Sequence, residues 1–397
     1  MTTNHLLEIK QRGQSIWMDH LSRDIIQSGE LQDLVENQGI CGITSNPAIF
    51  EKAISGNVIY DADIQAGIQA NLPTYKIYES LVFADIRNAC DILRSPTAGG
   101  SPSHYEASQG LDGYVSIEVP PTIAHDTQAT IAEARRYFRE IGRENVMIKI
   151  PGTEAGLPAV EQAISEGINV NITLLFSVDS YINTAWAYIR GLEKRVARGE
   201  DISKIASVAS FFISRIDSNI DAKIDQLMQR GVDDLNRKAK LMAVRGKVAI
   251  ANAKIAYQEY KKIIQSARWQ NLAHQGGKVQ RLLWASTSTK DPSYSDVMYV
   301  NELIGKDTVN TLPPSTIKAC ADHCQVGDGE TPAVGDRLET GVEEAYNLIN
   351  NLKDPDININ INAVMAELLI EGIDKFIQPF QSLMNSLEGK VKLLSPV

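Results

Sequence analysis

Short apolar runs alternate along the chain with longer segments in which apolar residues recur at helical spacing. Short runs rich in β-branched residues predict buried strands, and apolar residues three or four positions apart predict amphipathic helices. Their regular alternation indicates βα units around a parallel sheet. We predict eight strands, at residues 15–19, 39–44, 113–119, 145–150, 168–174, 206–213, 281–287 and 309–312.

Eight strands with intervening helices predict an α/β fold of the (β/α)8 TIM-barrel type, with extra N- and C-terminal helices and loop insertions. We expect residues 1–397 to form a single domain, with its barrel core at about 13–318 and a helical C-terminal extension at about 319–397. Segments rich in Pro, Gly and Ser at 92–112 and in Gly at 326–341 predict loops.

The C-terminal extension carries an apolar face at helical spacing, which predicts helices that cover the barrel. This face consists of Leu368, Leu369, Ile373, Phe376, Phe380, Leu383 and Leu387. Residues 354–362 alternate in polarity as a strand would, and the sequence assigns them neither a place in the fold nor a function.

The predicted strands carry aliphatic side chains on one face and a different set on the other, because side chains alternate along a strand. Helices cover the aliphatic faces, so the opposite faces line the barrel axis, and residues late in each strand lie where barrel enzymes have their active sites. The inward set from the first, third, fourth and fifth strands is Ser15, Trp17, Asp19, Ser116, Glu118, Met147, Lys149, Asn169, Asn171 and Thr173.

Lys149 stands in the apolar run NVMIKIPGT, where an ammonium group is costly to bury. Taken alone, Lys149 could form an ion pair with Glu118, Asp19 could cap a helix, and Asn171 and Thr173 could be structural hydrogen bonders. Their position on one face of neighbouring strands favours a functional cluster instead.

A buried lysine of this kind is typical of carbonyl chemistry. Apolar surroundings disfavour the ammonium form of a lysine, and the free amine attacks a carbonyl to form a Schiff base. The resulting iminium is an electron sink for breaking or making a neighbouring C–C bond. A carboxylate must then act as general acid and base, and polar groups must handle the water of carbinolamine formation. Asp19, Glu118 and Thr173 are the candidates.

The formal charge of −10 argues against a nucleic-acid partner, which requires basic stripes, while an anionic substrate still fits where local cations outweigh the overall field. The chain has no signal-like apolar segment near its start and no apolar stretch of about 18 residues, which predicts a cytoplasmic protein without a membrane partner. The six histidines show no metal-site spacing, and no metal is expected. We expect Cys320 and Cys324 to be two reduced thiols on a helix.

Four motifs resemble those of the transaldolase family in its longer bacterial form: GITSNPAIFEKAI at 42–54, VMIKIPGT at 146–153, GINVNITLLFS at 167–177 and SFFISRID at 210–217. The similarity runs in order from about residue 15 to 318, with a compatible helical tail. It implies a Schiff-base (β/α)8 transferase of the pentose phosphate pathway that moves a dihydroxyacetone unit between sugar phosphates. The implied reaction converts sedoheptulose 7-phosphate and glyceraldehyde 3-phosphate into erythrose 4-phosphate and fructose 6-phosphate.

The resemblance also implies a role for each matching residue. Lys149 would carry the Schiff base, so that no separate cofactor is needed. Asp19 would take the C4 hydroxyl proton of the donor, and Glu118 and Thr173 would position the catalytic water. The substrate-binding residues implied are Asn46 and Asn171 at the dihydroxyacetone hydroxyls, with Thr44 supporting Asn46 beside it, Ser210 and Phe212 at the pocket wall, and Arg215 at the phosphate.

The phosphate end departs from the family pattern. Where many transaldolases carry a second phosphate-binding arginine after an Ala-Ser pair, this chain reads WASTSTKDP, in which Ser286 matches and the cation is Lys290. We expect Lys290 to act as a point charge in place of that arginine. Two alternatives stay open: an aldolase of the fructose 6-phosphate type that releases dihydroxyacetone, and a sugar-phosphate-binding barrel without catalysis. The sequence also leaves open whether the protein is a homo-oligomer.

Overall fold

Eight parallel strands close into a barrel in the computed structural model, which describes residues 4–97, 99–229, 234–327 and 337–395. Neighbours in the barrel are neighbours in sequence, and the eighth strand closes the ring by pairing with the first. The predicted (β/α)8 barrel and all eight predicted strands are confirmed. The strands are β1 (Gln14–Met18), β2 (Ile40–Thr44), β3 (Val115–Glu118), β4 (Val146–Pro151), β5 (Val170–Leu175), β6 (Ser207–Phe212), β7 (Arg281–Ala285) and β8 (Thr308–Leu312).

Helices surround the barrel and cover the aliphatic outer faces of the strands. The helices before β4 are α1 (His5–Gln11), α2 (Arg23–Gln27), α3 (Glu30–Asn37), α4 (Pro47–Ile54), α5 (Asp61–Gln69), α6 (Thr74–Arg94), α7 (His104–Ala107) and α8 (Thr127–Ile141). The helices after β4 are α9 (Gly156–Ser165), α10 (Val178–Ala197), α11 (Ser214–Gln229), α12 (Leu235–Val244), α13 (Val248–Gln265), α14 (Ala267–Ala273), α15 (Met298–Glu302), α16 (Pro314–His323), α17 (Val342–Asn351) and α18 (Ile361–Leu394). Within the described ranges, no helix combines the length and the apolarity that crossing a membrane requires.

The register of β3, β4 and β5 brings the predicted chemistry into one row. Glu118 pairs with Lys149, and Lys149 pairs with Asn171 on the next strand. Paired residues of neighbouring parallel strands present their side chains to the same face of the sheet. The alternate positions Ile148 and Ile172 are fully buried on the helix-facing side. The alternation of the sequence therefore separates a polar barrel interior from an apolar outer layer.

The backbone departs from a regular ladder where β5 and β7 reach the end of the barrel. Leu174 has a φ of 60°, and the pairing of β5 with β6 shifts register around it. Ser286, directly after β7, has a φ of 57°. Positive φ is uncommon for residues other than glycine and clusters at functional sites. At the end of β4, a Cβ on Gly152 would collide with the side chain of Leu175, so a larger residue fits there only if that leucine moves.

The described part of the C-terminal extension is helical, as predicted, and its long helix α18 packs over the barrel end. Helix α18 begins after Asn360, whose side-chain oxygen accepts hydrogen bonds from the backbone N–H groups of Asn362 and Ala363, as an N-cap does. It packs against α4, α6, α11 and β5. The predicted apolar face is confirmed, since five of its members are buried and two are partly buried: Leu368, Ile373, Phe376, Leu383 and Leu387, then Leu369 and Phe380.

Residues 354–360, which alternate in polarity, form a turn and an extended lead into α18, and no strand includes them. Ile357 and Ile359 are buried, which accounts for the apolar half of the alternation. Lys240 Nζ donates to the carboxylates of Asp354 and Asp356 at 2.9 and 2.7 Å. The segment therefore anchors the start of the tail helix to α12.

The expectation that Cys320 and Cys324 are reduced thiols is wrong, because the structure joins them in a disulfide. The two residues lie four positions apart at the end of α16, where the helical path brings their Cα atoms to 4.6 Å, within the span of a disulfide. The predicted loop at 92–112 lies between α6 and β3, with the short helix α7 inside it. Residues 328–336 of the other predicted loop lie outside the described residues.

Candidate active site

A cavity of about 180 Å³ opens at the C-terminal end of the barrel strands. This is the end at which barrel enzymes place their catalytic residues. Ten of the twelve predicted site residues line it: Asp19, Thr44, Asn46, Lys149, Thr173, Ser210, Phe212, Arg215, Ser286 and Lys290. The other two predicted residues, Glu118 and Asn171, are buried and contact lining residues without lining the cavity themselves.

Lys149 points its amine into the cavity from the middle of the site. Its Nζ lies 3.7 Å from Glu118 Oε2, and the side chains of the two residues are 6% and 2% exposed. The same Nζ donates to the backbone carbonyl oxygen of Ser45 at 3.3 Å. The ion pair with Glu118, considered from the sequence as a structural alternative, is thus present and lies inside the pocket. The surroundings of the amine are therefore not purely apolar.

Glu118 is a buried carboxyl with an unusual affinity for protons. Burial raises its pKa to about 7, against the lowering effect of the Lys149 ammonium, while Asp19 raises it further. Neither carboxyl oxygen accepts a hydrogen bond from the described residues, and the same holds for the hydroxyl of Thr173. Buried polar atoms rarely stay without partners in native proteins. These atoms therefore mark a place suited to a small polar molecule beside Lys149.

Asp19 follows β1 and is held by a pair of threonines. Thr44 Oγ1 donates to Asp19 Oδ1 at 2.6 Å, and Thr44 Oγ1 also lies 2.7 Å from Thr311 Oγ1 on β8. Because the one hydroxyl hydrogen of Thr44 goes to the carboxylate, Thr311 donates to Thr44. The backbone N–H of Asp19 donates to the Leu312 carbonyl at 2.8 Å. Contacts with β2 and β8, the strands on either side of β1, thus orient this carboxylate.

Two asparagines in the site have their side chains engaged by protein. Asn171 Nδ2 donates to Ser116 Oγ at 3.0 Å, and Ser210 Oγ donates to Asn171 Oδ1 at 2.6 Å, so Asn171 reaches the cavity only through Ser210. Asn46 is the N-cap of α4, and its Oδ1 accepts from the N–H of Ile49 at 3.1 Å. The structural role is therefore present at both positions, and Asn46 also lines the cavity.

Two cations stand at the outer part of the cavity. Arg215 lies with its guanidinium carbon 5.0 Å over the ring of Phe212, and its buried Nη1 donates to no described residue. Burial lowers its pKa from the usual value, and Glu371 opposes that effect. Lys290 Nζ donates to Ser288 Oγ at 2.7 Å, and partial burial lowers its pKa, as do the nearby charges of Arg215 and Lys52.

Five lining residues were not predicted from the sequence: Ala285, Ser288, Thr311, Pro313 and Phe376. Thr311 carried a usable signal, since it is paired with the inward residue Trp17 and alternation along β8 turns it inward. Phe376 was predicted only as part of an apolar helix face. No group of three or more His, Cys, Asp or Glu side chains in the described parts of the chain is arranged to hold a metal ion.

The fold and the site define a (β/α)8-barrel enzyme whose centre pairs a lysine with buried carboxyls and whose outer end is cationic. The family model described as transaldolase/fructose-6-phosphate aldolase matches residues 16–387. The chain is 79% identical over the full length of both proteins to transaldolase 2 of Nostoc sp. (strain PCC 7120) and 76% identical, again over both full lengths, to transaldolase 2 of Nostoc punctiforme. It is also 68% identical over both full lengths to a transaldolase of Trichodesmium erythraeum. The chain belongs to the transaldolase/fructose-6-phosphate aldolase family and is a transferase of the transaldolase kind.

Proposed function

We propose that this chain transfers a dihydroxyacetone unit between sugar phosphates through a Schiff base on Lys149. The reaction converts sedoheptulose 7-phosphate and glyceraldehyde 3-phosphate into erythrose 4-phosphate and fructose 6-phosphate, as a cytoplasmic step of the pentose phosphate pathway. The observation that carries the proposal is the buried pair of Lys149 and Glu118, 3.7 Å apart, in a cavity that ends in two cations. The proposal needs no cofactor, because the iminium on Lys149 is itself the electron sink.

Schiff-base formation begins with attack of the Lys149 amine on the C2 carbonyl of the donor. The ammonium must first lose a proton, and Glu118, with a pKa near 7, is suited to accept it. The same carboxyl then protonates the hydroxyl of the carbinolamine, which leaves as water. The hydroxyl of Thr173, buried and without a hydrogen bond to described residues, would hold that water next to Glu118.

Cleavage of the C3–C4 bond requires a base at the C4 hydroxyl. Asp19 would take that proton while the electron pair of the C3–C4 bond moves to the iminium nitrogen, which releases the aldehyde product. Thr44 fixes the carboxylate by its 2.6 Å hydrogen bond. In the second half-reaction the enamine carbon attacks the acceptor aldehyde, and Asp19 returns the proton to the new hydroxyl. One carboxyl therefore serves both directions.

The remaining lining residues would hold the substrate. The amide NH₂ of Asn46 would donate to a hydroxyl of the dihydroxyacetone unit, and Asn171 would act there through Ser210. The phosphate would bind at Arg215, whose planar guanidinium suits phosphate oxygens, with Lys290 as a second charge and Ser286 at the same end. Phe212, under the Arg215 guanidinium, would set the wall between the two ends. We further propose that the barrel and the tail form a single domain.

Borohydride trapping tests the covalent mechanism. Incubation with fructose 6-phosphate and borohydride should leave a stable adduct on Lys149, located by peptide mass mapping. An enzyme that turns over substrate without any lysine adduct would contradict the Schiff base. A protein with neither adduct nor turnover would be the non-catalytic sugar-phosphate-binding barrel.

A second candidate function is release of dihydroxyacetone to water, because the matching family model includes fructose-6-phosphate aldolases. Both reactions share the iminium, so Lys149 does not distinguish them. Fructose 6-phosphate supplied with and without erythrose 4-phosphate separates the two. Transfer predicts turnover that depends on the acceptor, whereas rapid release of dihydroxyacetone without acceptor would favour the aldolase.

A further inference from the structure

The tail helix α18 supplies one wall of the cavity, although it lies outside the barrel. Phe376 lines the cavity, is 4% exposed, and has its ring centroid 5.6 Å from Lys149 Nζ. A cation at this distance from an aromatic ring is attracted to it. Phe376 therefore covers the amine with an apolar surface that comes from the C-terminal part of the chain.

Gly372, one helical turn before Phe376, determines how closely α18 approaches the site. A Cβ on Gly372 would lie 2.9 Å from Leu174 Cδ2 and 3.6 Å from Arg215 Nη1. Leu174 is the positive-φ residue at the end of β5. Residues four apart share a helix face, so the face in contact with these two residues is the one that carries Phe376. At Gly372, α18 therefore lies so close to Leu174 that a side chain would fit only if that leucine moved.

Water is both needed and harmful in this pocket. Forming and hydrolysing the carbinolamine takes one water, for which Glu118 and Thr173 provide buried polar atoms. After the C–C bond has broken, however, the enamine must persist until an acceptor aldehyde arrives. Bulk water at the amine during that interval would end the cycle early.

We propose that Phe376 determines how the enamine on Lys149 partitions between the acceptor and water, an inference that rests on the Schiff-base function proposed above. In transfer, the enamine carbon forms a C–C bond to the acceptor aldehyde, and the new alkoxide takes a proton from Asp19. In release, the enamine carbon takes a proton, water adds to the iminium carbon, and the C–N bond breaks to give dihydroxyacetone and the Lys149 amine. Phe376 slows release by covering the amine.

The test compares Phe376→Ala and Phe376→Leu with the matched control Phe380→Ala. Phe380 lies one turn further along α18, where its ring packs on Tyr75 and Tyr78 at 6.5 and 5.6 Å and does not line the cavity. The readout is the rate of dihydroxyacetone release from fructose 6-phosphate alone, divided by the rate of transfer to erythrose 4-phosphate. For Phe376→Ala this ratio should rise about tenfold or more, which corresponds to a change of ~1.4 kcal/mol between competing barriers. Phe376→Leu should give a smaller rise, and Phe380→Ala none.

Every outcome bears on the proposal. An unchanged ratio in Phe376→Ala, with thermal unfolding showing a folded protein, would overturn it, as would an equal rise in Phe380→Ala. If Phe376→Ala does not fold, the ratio measured for Phe376→Leu decides. Leucine keeps most of the volume of the phenylalanine side chain but covers less of the Lys149 amine. Borohydride trapping of the unsubstituted protein separates failure of the role proposed for Phe376 from failure of the Schiff-base function. A wild-type adduct with an unchanged ratio refutes only the role of Phe376, whereas no wild-type adduct refutes the Schiff-base function.

Discussion

Replacing Arg215 by alanine should weaken the use of phosphorylated substrate far more than replacing Lys290, because the two cations differ in burial. Arg215 is half-buried with a fully buried Nη1 that donates to no described residue, while the Lys290 side chain is exposed overall and only its amine is partly buried. A hydrogen bond to a charged group contributes ~1.5–3 kcal/mol, and an exposed ion pair at most ~1 kcal/mol. These energies correspond to a loss in kcat/KM for fructose 6-phosphate of roughly 10- to 150-fold for Arg215→Ala and up to about 5-fold for Lys290→Ala.

The assay is kcat/KM for fructose 6-phosphate with erythrose 4-phosphate as acceptor, measured at low and high salt. Salt screens exposed charges more than buried ones, so the loss in Lys290→Ala should shrink at high salt and the loss in Arg215→Ala should persist. Unphosphorylated fructose as donor is the control and should respond little to either substitution. Equal losses for the two variants, or losses that also appear with unphosphorylated fructose, would refute the argument that burial sets the contribution of each cation. Lys290 would then be a full replacement for an arginine, or neither residue would bind phosphate.

Three further predictions follow from the site and its surroundings. Lys149→Ala should abolish turnover and borohydride trapping, while circular dichroism and thermal unfolding still report a folded barrel. The fold should survive because Glu118 is able to take up a proton once its partner is gone. Residual turnover would exclude the covalent route. Asp19→Ala should still give the borohydride adduct but cleave the donor at least ~100-fold more slowly, as expected for loss of general base catalysis, and unimpaired cleavage would assign that role elsewhere. For Asp217→Asn, urea titrations should show that the difference in unfolding free energy between variant and wild type shifts in favour of the variant by about 3 kcal/mol from pH 5 to pH 8. Burial raises the pKa of Asp217 from 3.8 to about 7, so the native state holds this proton and the wild type loses stability as the pH rises through that window. Asparagine does not ionise; its Oδ1 is able to accept from the Ala249 N–H, and its NH₂ would donate to the Tyr299 hydroxyl instead of accepting from it. A pH-independent difference would contradict this.

The barrel and most of the site could be predicted from the sequence because both depend on alternation. The pleat turns Glu118 and Lys149 to one side and Ile148 to the other whatever the rest of the chain does, and the register of adjacent strands then brings the inward groups together. The same alternation along β8 turns Thr311, the partner of Trp17, toward the barrel axis.

Other features depend on contacts between distant segments, which local patterns do not encode. Phe376 has the periodicity of an ordinary core residue, and only the seating of α18 on Leu174 makes it a pocket wall. The sequence also did not predict that Asn46 caps α4 or that Asn171 hydrogen-bonds to Ser116 and Ser210. An asparagine in a motif has the same local sequence whether its amide binds a ligand or another residue of the protein.

The position of Phe376 in the sequence has a consequence for how the protein is made. The lysine it covers is more than two hundred residues earlier in the chain, so the barrel strand that carries the amine leaves the ribosome well before the segment that covers it. At typical synthesis rates of about 5–20 residues per second, that interval lasts roughly 10 to 45 seconds. During that interval the nascent chain carries Lys149, the proposed Schiff-base residue, without the phenylalanine that covers it in the folded protein. Of the segments that line the cavity, α18 is the last to be translated, and a chain stalled or cut before α18 would hold the Lys149 amine without its aromatic wall.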